Sequence, residues 1–505
     1  MSSMLHRVLG DIAAFSAAGG LRLRSYQRSA AAAILRSVFE ARGDSIVILF
    51  PRQSGKNELQ AQLEAYLLLL FSGQDAELLK VSPTWKPQSL NALRRLQRVL
   101  ERNPLSAAFG WQKESGYLYR VGRARIAFLS GAPESHIVGA TASLLLEVDE
   151  AQDVTIEKFD KEIAPMAAST NATRVFWGTA WNDQTLLARE LRSAQAAEQR
   201  DGRQRTFRIT AEDVGRECPA YAAFVAAQVQ RLGRAHPLIR TQFFSEEISH
   251  LTGLLTEERQ QRMRGNHAFQ SHPQPGTLYA FTLDVAGEES ESAAAANVRR
   301  DATALTIFAL DLSRLNDPLL CGPIYRVVQR AQWVGVAHTQ LYAALLTLAQ
   351  TWQPRYLVVD ATGIGAGLAS FLGRALPGRV LPFLFNRSTK SALGWAFLAI
   401  LETGRFQEAN PDLPGGEALQ RTLAERFWQQ GRACQMETDG LQHSLRWSVP
   451  EAARIGSNGE LLHDDLLVSA ALCAVLEDQP WPRSRRSASL LRAADPLTAI
   501  DRGGF

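Results

Sequence analysis

The chain has 505 residues, 46% hydrophobic and 21% charged, with a formal net charge of +4 and a pI near 8.9. That length exceeds one core, so two domains are expected, and the composition excludes a disordered chain. Mild basicity permits a polyanionic partner without requiring one.

Four cysteines at 218, 321, 434 and 473 form no close pair, which argues against a zinc cluster or a disulfide framework and fits a reducing compartment. The start lacks the apolar run of a signal peptide, and the most apolar stretch, 65–71, is too short to span a bilayer. A soluble intracellular protein without a membrane partner is therefore expected. Only seven of the 55 basic residues are lysine, at 56, 80, 86, 113, 158, 161 and 390. A GC-rich genome explains this bias blandly, and arginine's bidentate grip on phosphate explains it functionally; composition does not separate the two.

In chain order, residues 45–50 (SIVILF) read as a buried strand, 57–71 as a helix, 78–82 as a strand and 87–101 as an amphipathic helix. Residues 144–148 (LLLEV) and 174–177 (RVFW) are further strands, each followed by a polar loop and a helix. Strands alternating with helices predict a parallel α/β sheet. Residues 267–276 (HAFQSHPQPG) read as a linker. Beyond it, 278–285, 303–310 and 324–333 are strands without intervening helices, which predicts antiparallel pairing. A helix, a strand at 356–359, a Gly-rich loop and more helices follow. This is the order of an RNase H-like fold, although periodicity alone does not single it out. The residues from 481 onward hold five arginines and two aspartates and read as a mobile tail.

Phe50-Pro51-Arg52-Gln53-Ser54-Gly55-Lys56-Asn57 follows a buried strand and opens a helix, the context a phosphate loop needs. Amides at a helix start bind phosphate oxygens, and Lys56 can reach the β- and γ-phosphates. The first glycine of the usual pattern is missing, and Asn57 stands where a Ser/Thr would ligate Mg²⁺. The apolar strand 144–148 ends in Asp149 and Glu150, a Walker B pattern in which Asp149 would hold Mg²⁺ and Glu150 would activate water. Gly178-Thr179-Ala180 either senses the γ-phosphate or forms an ordinary strand-to-loop turn. Tyr26 and Gln27 either offer a ring and an amide to adenine or lie on a helix surface.

In the second half, Asp284 and Asp360 end strands, and Asp464 and Asp465 open a helix at 466–476 that is apolar nearly all round. Acids on buried elements are costly unless a cation neutralises them, and oxygen-only ligands favour Mg²⁺ or Mn²⁺. Two such ions suit phosphodiester hydrolysis. Singly, each acid is also readable as a solvated strand end or a helix cap. Asp301 is a candidate fourth ligand or a turn cap, Lys390 a DNA-phosphate contact or a solvated helix start, and His463 a helper or a bystander.

As an ordered set, RQSGKN, DEAQ, GTAW, Asp284, DATGIG and a late HDDLL helix resemble the large subunit of phage terminases, over residues 20–480. The resemblance implies an α/β chain with a RecA-like P-loop ATPase domain (1–266), a linker (267–276), an RNase H-like nuclease domain (277–480) and a basic tail (481–505). It implies ATP-driven translocation of double-stranded DNA into a procapsid and cleavage of concatemeric DNA in the host cytoplasm. The implied partners are the portal protein and the small terminase subunit, with a pentamer on the portal and often a monomer in isolation. Carried over by motif, Arg52 and Lys56 face the ATP phosphates with Gln53, Ser54, Gly55 and Asn57 of the loop. Asp149 binds Mg²⁺, Glu150 is the catalytic base, and Thr179 couples hydrolysis to movement. Asp284, Asp360 and Asp464 or Asp465 hold the nuclease metals. The arginine that members often carry shortly before the Walker B strand is missing from residues 135–139, leaving Arg123, Arg125 or a more distant residue to serve. A DEAD-like helicase and a non-enzymatic DNA-binding assembly protein are the alternatives.

Overall fold

The computed structural model describes residues 9–286, 302–315, 322–415, 417–439, 444–455 and 460–481. Asp301 and the basic tail beyond Trp481 lie outside them.

The first half builds an eight-stranded sheet. Its strands are β1 (Ser45–Leu49), β2 (Glu77–Ser82), β3 (Gln112–Glu114), β4 (Leu118–Val121), β5 (Ala124–Ser130), β6 (Leu145–Val148), β7 (Thr173–Gly178) and β8 (Thr206–Arg208). They lie in the order β3-β4-β5-β2-β6-β7-β1-β8. From β5 to β8 every pairing is parallel, while β3 and β4 fold back antiparallel onto β5. Strands covered on both faces need unbroken apolar runs, which is why β1 and β6 read so clearly. The helix Lys56–Leu70 buries nearly every side chain, including the polar Gln60, Gln62 and Glu64. Because β7 separates β1 from β6, the ends of these two strands face each other across Gly178.

The second half builds a six-stranded sheet. A meander of β10 (Leu278–Asp284), β11 (Ala302–Asp311) and β12 (Ile324–Val334) is antiparallel, as expected. Strand β13 (Tyr356–Asp360) pairs parallel with β10, and β14 (Val380–Phe383) with β13. A short β15 (Phe406–Gln407) closes the far edge. The expected helix over 466–476 is α-helical from Asp465 to Ala471 and continues as a 3₁₀ helix, Leu472–Asp478. Ser469 fixes it to the meander, donating through Oγ to Thr282 O at 2.9 Å.

The expected boundary at 267 falls inside the second core. Residues Leu251–Gly253 (β9) pair antiparallel with β16 (Gln435–Thr438), which also pairs with β17 (Leu445–Ser448). Leu254, Leu255 and Met263 are buried in the second core, and Arg259 Nε lies 2.7 Å from Glu402 Oε1. The expected linker is anchored as well: Gln270 N donates to Val328 O, and Phe269 packs with Ala409 and Ala424. The chain therefore enters the second core near residue 250.

The two cores meet at a few specific contacts. Trp181, 1% exposed, donates through Nε1 to Asp439 O at 2.9 Å, and its ring centroid lies 6.3 Å from that of Trp395. Asn182 Nδ2 donates to Thr438 O at 3.0 Å. His236 caps the helix Pro237–Phe244 by accepting Leu238 N at Nδ1, which leaves Nε2–H to donate to Trp395 O at 3.1 Å. These partners select the neutral imidazole. Burial holds the group down at about 4, below its ordinary value.

A depressed histidine leaves stability intact above the unfolded value near 6.5 and loses it as pH falls toward the folded value. Unfolding free energy should drop by about 3 kcal/mol through this group between those limits. Urea unfolding across pH 4–7 should show a flatter profile for His236→Asn than for the parent; identical slopes would contradict this assignment.

Candidate functional site

The loop after β1 is held from outside. Tyr26 donates to Ser54 O at 2.7 Å, Gln27 Nε2 to Gly55 O at 3.0 Å, and Tyr221 to Arg52 O at 3.0 Å. Gly55 has a φ of 93°, and a Cβ there would stand 2.7 Å from Gln27 Nε2, so glycine is required. Tyr26 and Gln27 thus spend their polar groups on the loop. Neither is among the residues that line the cleft described below.

Lys56 lies between the two acids that end β6, its Nζ 3.2 Å from Asp149 Oδ1 and 2.5 Å from Glu150 Oε1. Burial works against its charge, and Asp149 and Glu150 outweigh burial, raising its pKa. Glu150 adopts a φ of 44°, a left-handed conformation uncommon for a residue with a side chain. Gln152 donates through Nε2 to Glu150 Oε2 at 2.9 Å and accepts Thr179 N at 3.2 Å. Thr179 Oγ1 donates to Phe50 O at 3.2 Å, so the segment after β7 is tied to both motifs. Arg52, Gln53, Gly55, Lys56, Asn57, Glu150 and Thr179 all line a cleft of about 490 Å³, while Ser54 is buried behind it. Sequence reasoning missed Arg95, Gln88 and Trp181, which line the same cleft. Arg123 and Arg125 stand at the opposite, amino end of the sheet, paired with Asp75 and Glu77.

Beneath the cleft runs a buried polar chain that sequence reasoning also missed. Gln60 Nε2 donates to Asp149 Oδ1 at 3.0 Å, and Lys80 Nζ donates to Gln60 Oε1 at 3.1 Å and Glu64 Oε1 at 2.7 Å. Trp177 Nε1 donates to Glu147 Oε1 at 2.8 Å. Burial raises the Asp149 pKa, but Lys56, Lys80 and the Gln60 amide prevail and hold it at about 2. Glu147 goes the other way: burial and the neighbouring Glu64 push it well above the carboxylate range.

In the second half, β10 and β13 deliver Asp284 and Asp360, and the helix Asp465–Ala471 delivers Asp464 and Asp465, to one pocket of about 260 Å³. Asp360 Oδ1 accepts Thr362 N at 2.8 Å, and Asp465 Oδ2 accepts Ala302 N at 3.1 Å. Burial, then Asp465, Asp360 and Asp464, push Asp284 well above the carboxylate range. Lys390 also lines this pocket, whereas His463 is not among its lining residues. Among the described residues, no three His, Cys, Asp or Glu side chains are already arranged to hold an ion. The donor chemistry nonetheless fits a hard cation. The donors are all oxygen, and Asp284 is destabilised by three neighbouring carboxylates that a cation would neutralise.

A family model described as the terminase RNaseH-like domain matches residues 322–422, a stretch that includes Asp360 and Lys390. Within the second core, then, residues 322–422 are similar to the terminase RNase H-like domain. Joined to a phosphate-loop cleft in the same chain, this likeness supports a phage terminase large subunit. No curated protein matches the chain. The chain shows likeness to several solved structures. A large terminase from a thermophilic bacteriophage is 11% identical over 90% of this chain and 99% of that one, with a TM-score of 0.42. The HK97 bacteriophage large terminase is 13% identical over 90% and 95%, with a TM-score of 0.38. The large terminase nuclease from thermophilic phage G20c with bound magnesium is 15% identical over 42% and 93%, with a TM-score of 0.29. At these scores the likenesses carry no argument of their own, and the fold rests on the strand orders above.

Replacing Lys80 with methionine leaves buried Glu64 and Glu147 without their cation, a loss that costs about 3–5 kcal/mol. Urea unfolding of Lys80→Met should show that decrease. A loss below about 1 kcal/mol would mean that the two acids share a proton and need no lysine.

Proposed function

We propose that this terminase chain drives double-stranded DNA into a procapsid with ATP and cuts concatemeric DNA with its second core. One observation carries the reading: a single chain holds a phosphate-loop lysine seated on a strand-end acid pair and, separately, four aspartates converging on one pocket. A helicase would need a second parallel ATPase sheet, and the second core is built on an antiparallel meander instead.

In the first cleft ATP phosphates would lie against residues 50–57, and Mg²⁺ held near Asp149 would supply charge neutralisation at the phosphate oxygens. Lys56, drawn from the acids to the β- and γ-phosphates, releases Glu150 to accept a proton from the attacking water. Gln152 keeps Glu150 in register with Thr179, which couples turnover to movement of DNA. In the second pocket Asp284, Asp360 and Asp464 or Asp465 would hold Mg²⁺ or Mn²⁺, two ions in the full arrangement, which when bound would supply an activated water and charge neutralisation at the leaving oxygen. The carboxylates would fix where those cations sit, and anchorage on β10, β13 and the helix Asp465–Ala471 keeps them from swinging away. The portal protein and the small terminase subunit are the partners, with five copies on the portal and the host cytoplasm as the place of action.

Two variants separate the sites. Lys56→Ala should lose ATP turnover by about 100-fold or more while still nicking supercoiled plasmid with Mn²⁺. Asp360→Ala should do the reverse. If Asp360→Ala cuts plasmid as the parent does, the acids are misassigned, and if the parent never cuts, the helicase alternative gains ground.

A further inference from the structure

Lys390 is the only base among the described residues lining the four-aspartate pocket. The fold holds it there by three means. Asn386 caps the helix Arg387–Glu402, accepting Thr389 N at 2.9 Å, so Lys390 stands in the first turn. Trp447 Nε1 donates to Lys390 O at 2.9 Å. The side chain crosses the indole face, with Nζ 5.1 Å from the ring centroid. Thus held, Nζ is 4.0 Å from Asp464 Oδ2.

We propose that Lys390 is a catalytic residue of this site, its ammonium donating a hydrogen bond to a non-bridging oxygen of the scissile DNA phosphate. The proposal rests on the nuclease reading of the acids. Four carboxylates repel a phosphodiester, and cations held by those carboxylates neutralise only the side of the phosphate that faces them. The opposite side needs a donor that the acids do not capture.

The geometry distinguishes this role from that of a simple counter-ion. At 4.0 Å the contact with Asp464 is at the limit of an ion pair, and the side chain is 36% exposed. A counter-ion serving only the acids would be sunk among them. Lys390 is instead fixed at the pocket rim by its backbone and by Trp447, where it remains when cations fill the acids. Its chemistry agrees: the compact ammonium fits between an indole face and the pocket, where a planar guanidinium would stack on the ring. In a chain with 48 arginines, a lysine is retained at this position.

The test uses the full chain carrying Lys390→Met or Lys390→Arg, supercoiled plasmid with Mn²⁺, calorimetric Mn²⁺ binding without DNA, and ATP turnover as a check on folding. Lys390→Met should bind Mn²⁺ as tightly as the parent or more tightly, keep its ATP turnover, and cut plasmid with kcat lowered by about 100-fold. Lys390→Arg should recover part of the loss. Cutting at the parental rate by Lys390→Met overturns the proposal. So does a fall in Mn²⁺ affinity that accounts for the lost cutting, because the lysine then acts only through the acids. A parent that neither binds Mn²⁺ nor cuts removes the nuclease reading itself, and this proposal with it.

Discussion

Charge buried beneath the carboxyl edge of the first sheet governs how that half of the molecule is built. Lys56 and Lys80 are each less than 10% exposed, and such cations persist in a core only when acids and amides surround them. The sheet supplies Glu147 and Asp149 from β6, and the helix Lys56–Leu70 supplies Gln60 and Glu64. One chain of contacts thus ties the phosphate-loop helix, β2 and β6 into a unit, so that the acid pair cannot shift without disturbing the lysine beside the loop. Such a network is preorganised: the cost of burying the charges is met during folding.

The same segment that closes the cleft also joins the cores. Thr179 is bonded toward Glu150 through Gln152, and two residues later Trp181 lines the cleft and donates to the second core at Asp439. The ring of Trp181 rests near Trp395, which lies on the same helix as Lys390. Just beyond the end of β7, then, the chain is within hydrogen-bond reach of the second core. This contiguity is a structural fact about where the halves touch, and it makes the GTAW segment more than a turn.

Much of this was legible in the sequence. The strands β1, β2, β6 and β7, the meander and the strand-end acids stood out because buried strands carry apolar runs and acids at their ends are conspicuous. The hairpin of β3 and β4 did not, because its strands are short and half polar. The buried network was readable in principle: Glu64, Lys80 and Glu147 each interrupt an apolar run, and a charge in such a place demands a partner. Which charges partner one another is a matter of three dimensions, and only the fold supplies it. The domain boundary failed for a related reason. Three residues, Leu251–Gly253, join the second core by pairing with a strand more than 180 residues later, and no local pattern announces so distant a contact. The hold of Tyr26 and Gln27 on the loop carbonyls is likewise a matter of three dimensions that residue type does not announce.

On the proposed reading, one chain carries two separate acid sites for divalent cations, one per core. Crystals grown with ADP and Mn²⁺ and measured at the manganese absorption edge test it most directly. The account predicts anomalous density beside Asp149 in the first core and, about equally strong, among Asp284, Asp360 and the Asp464–Asp465 pair in the second. Density in the first core alone, with the four aspartates empty at millimolar Mn²⁺, would contradict it.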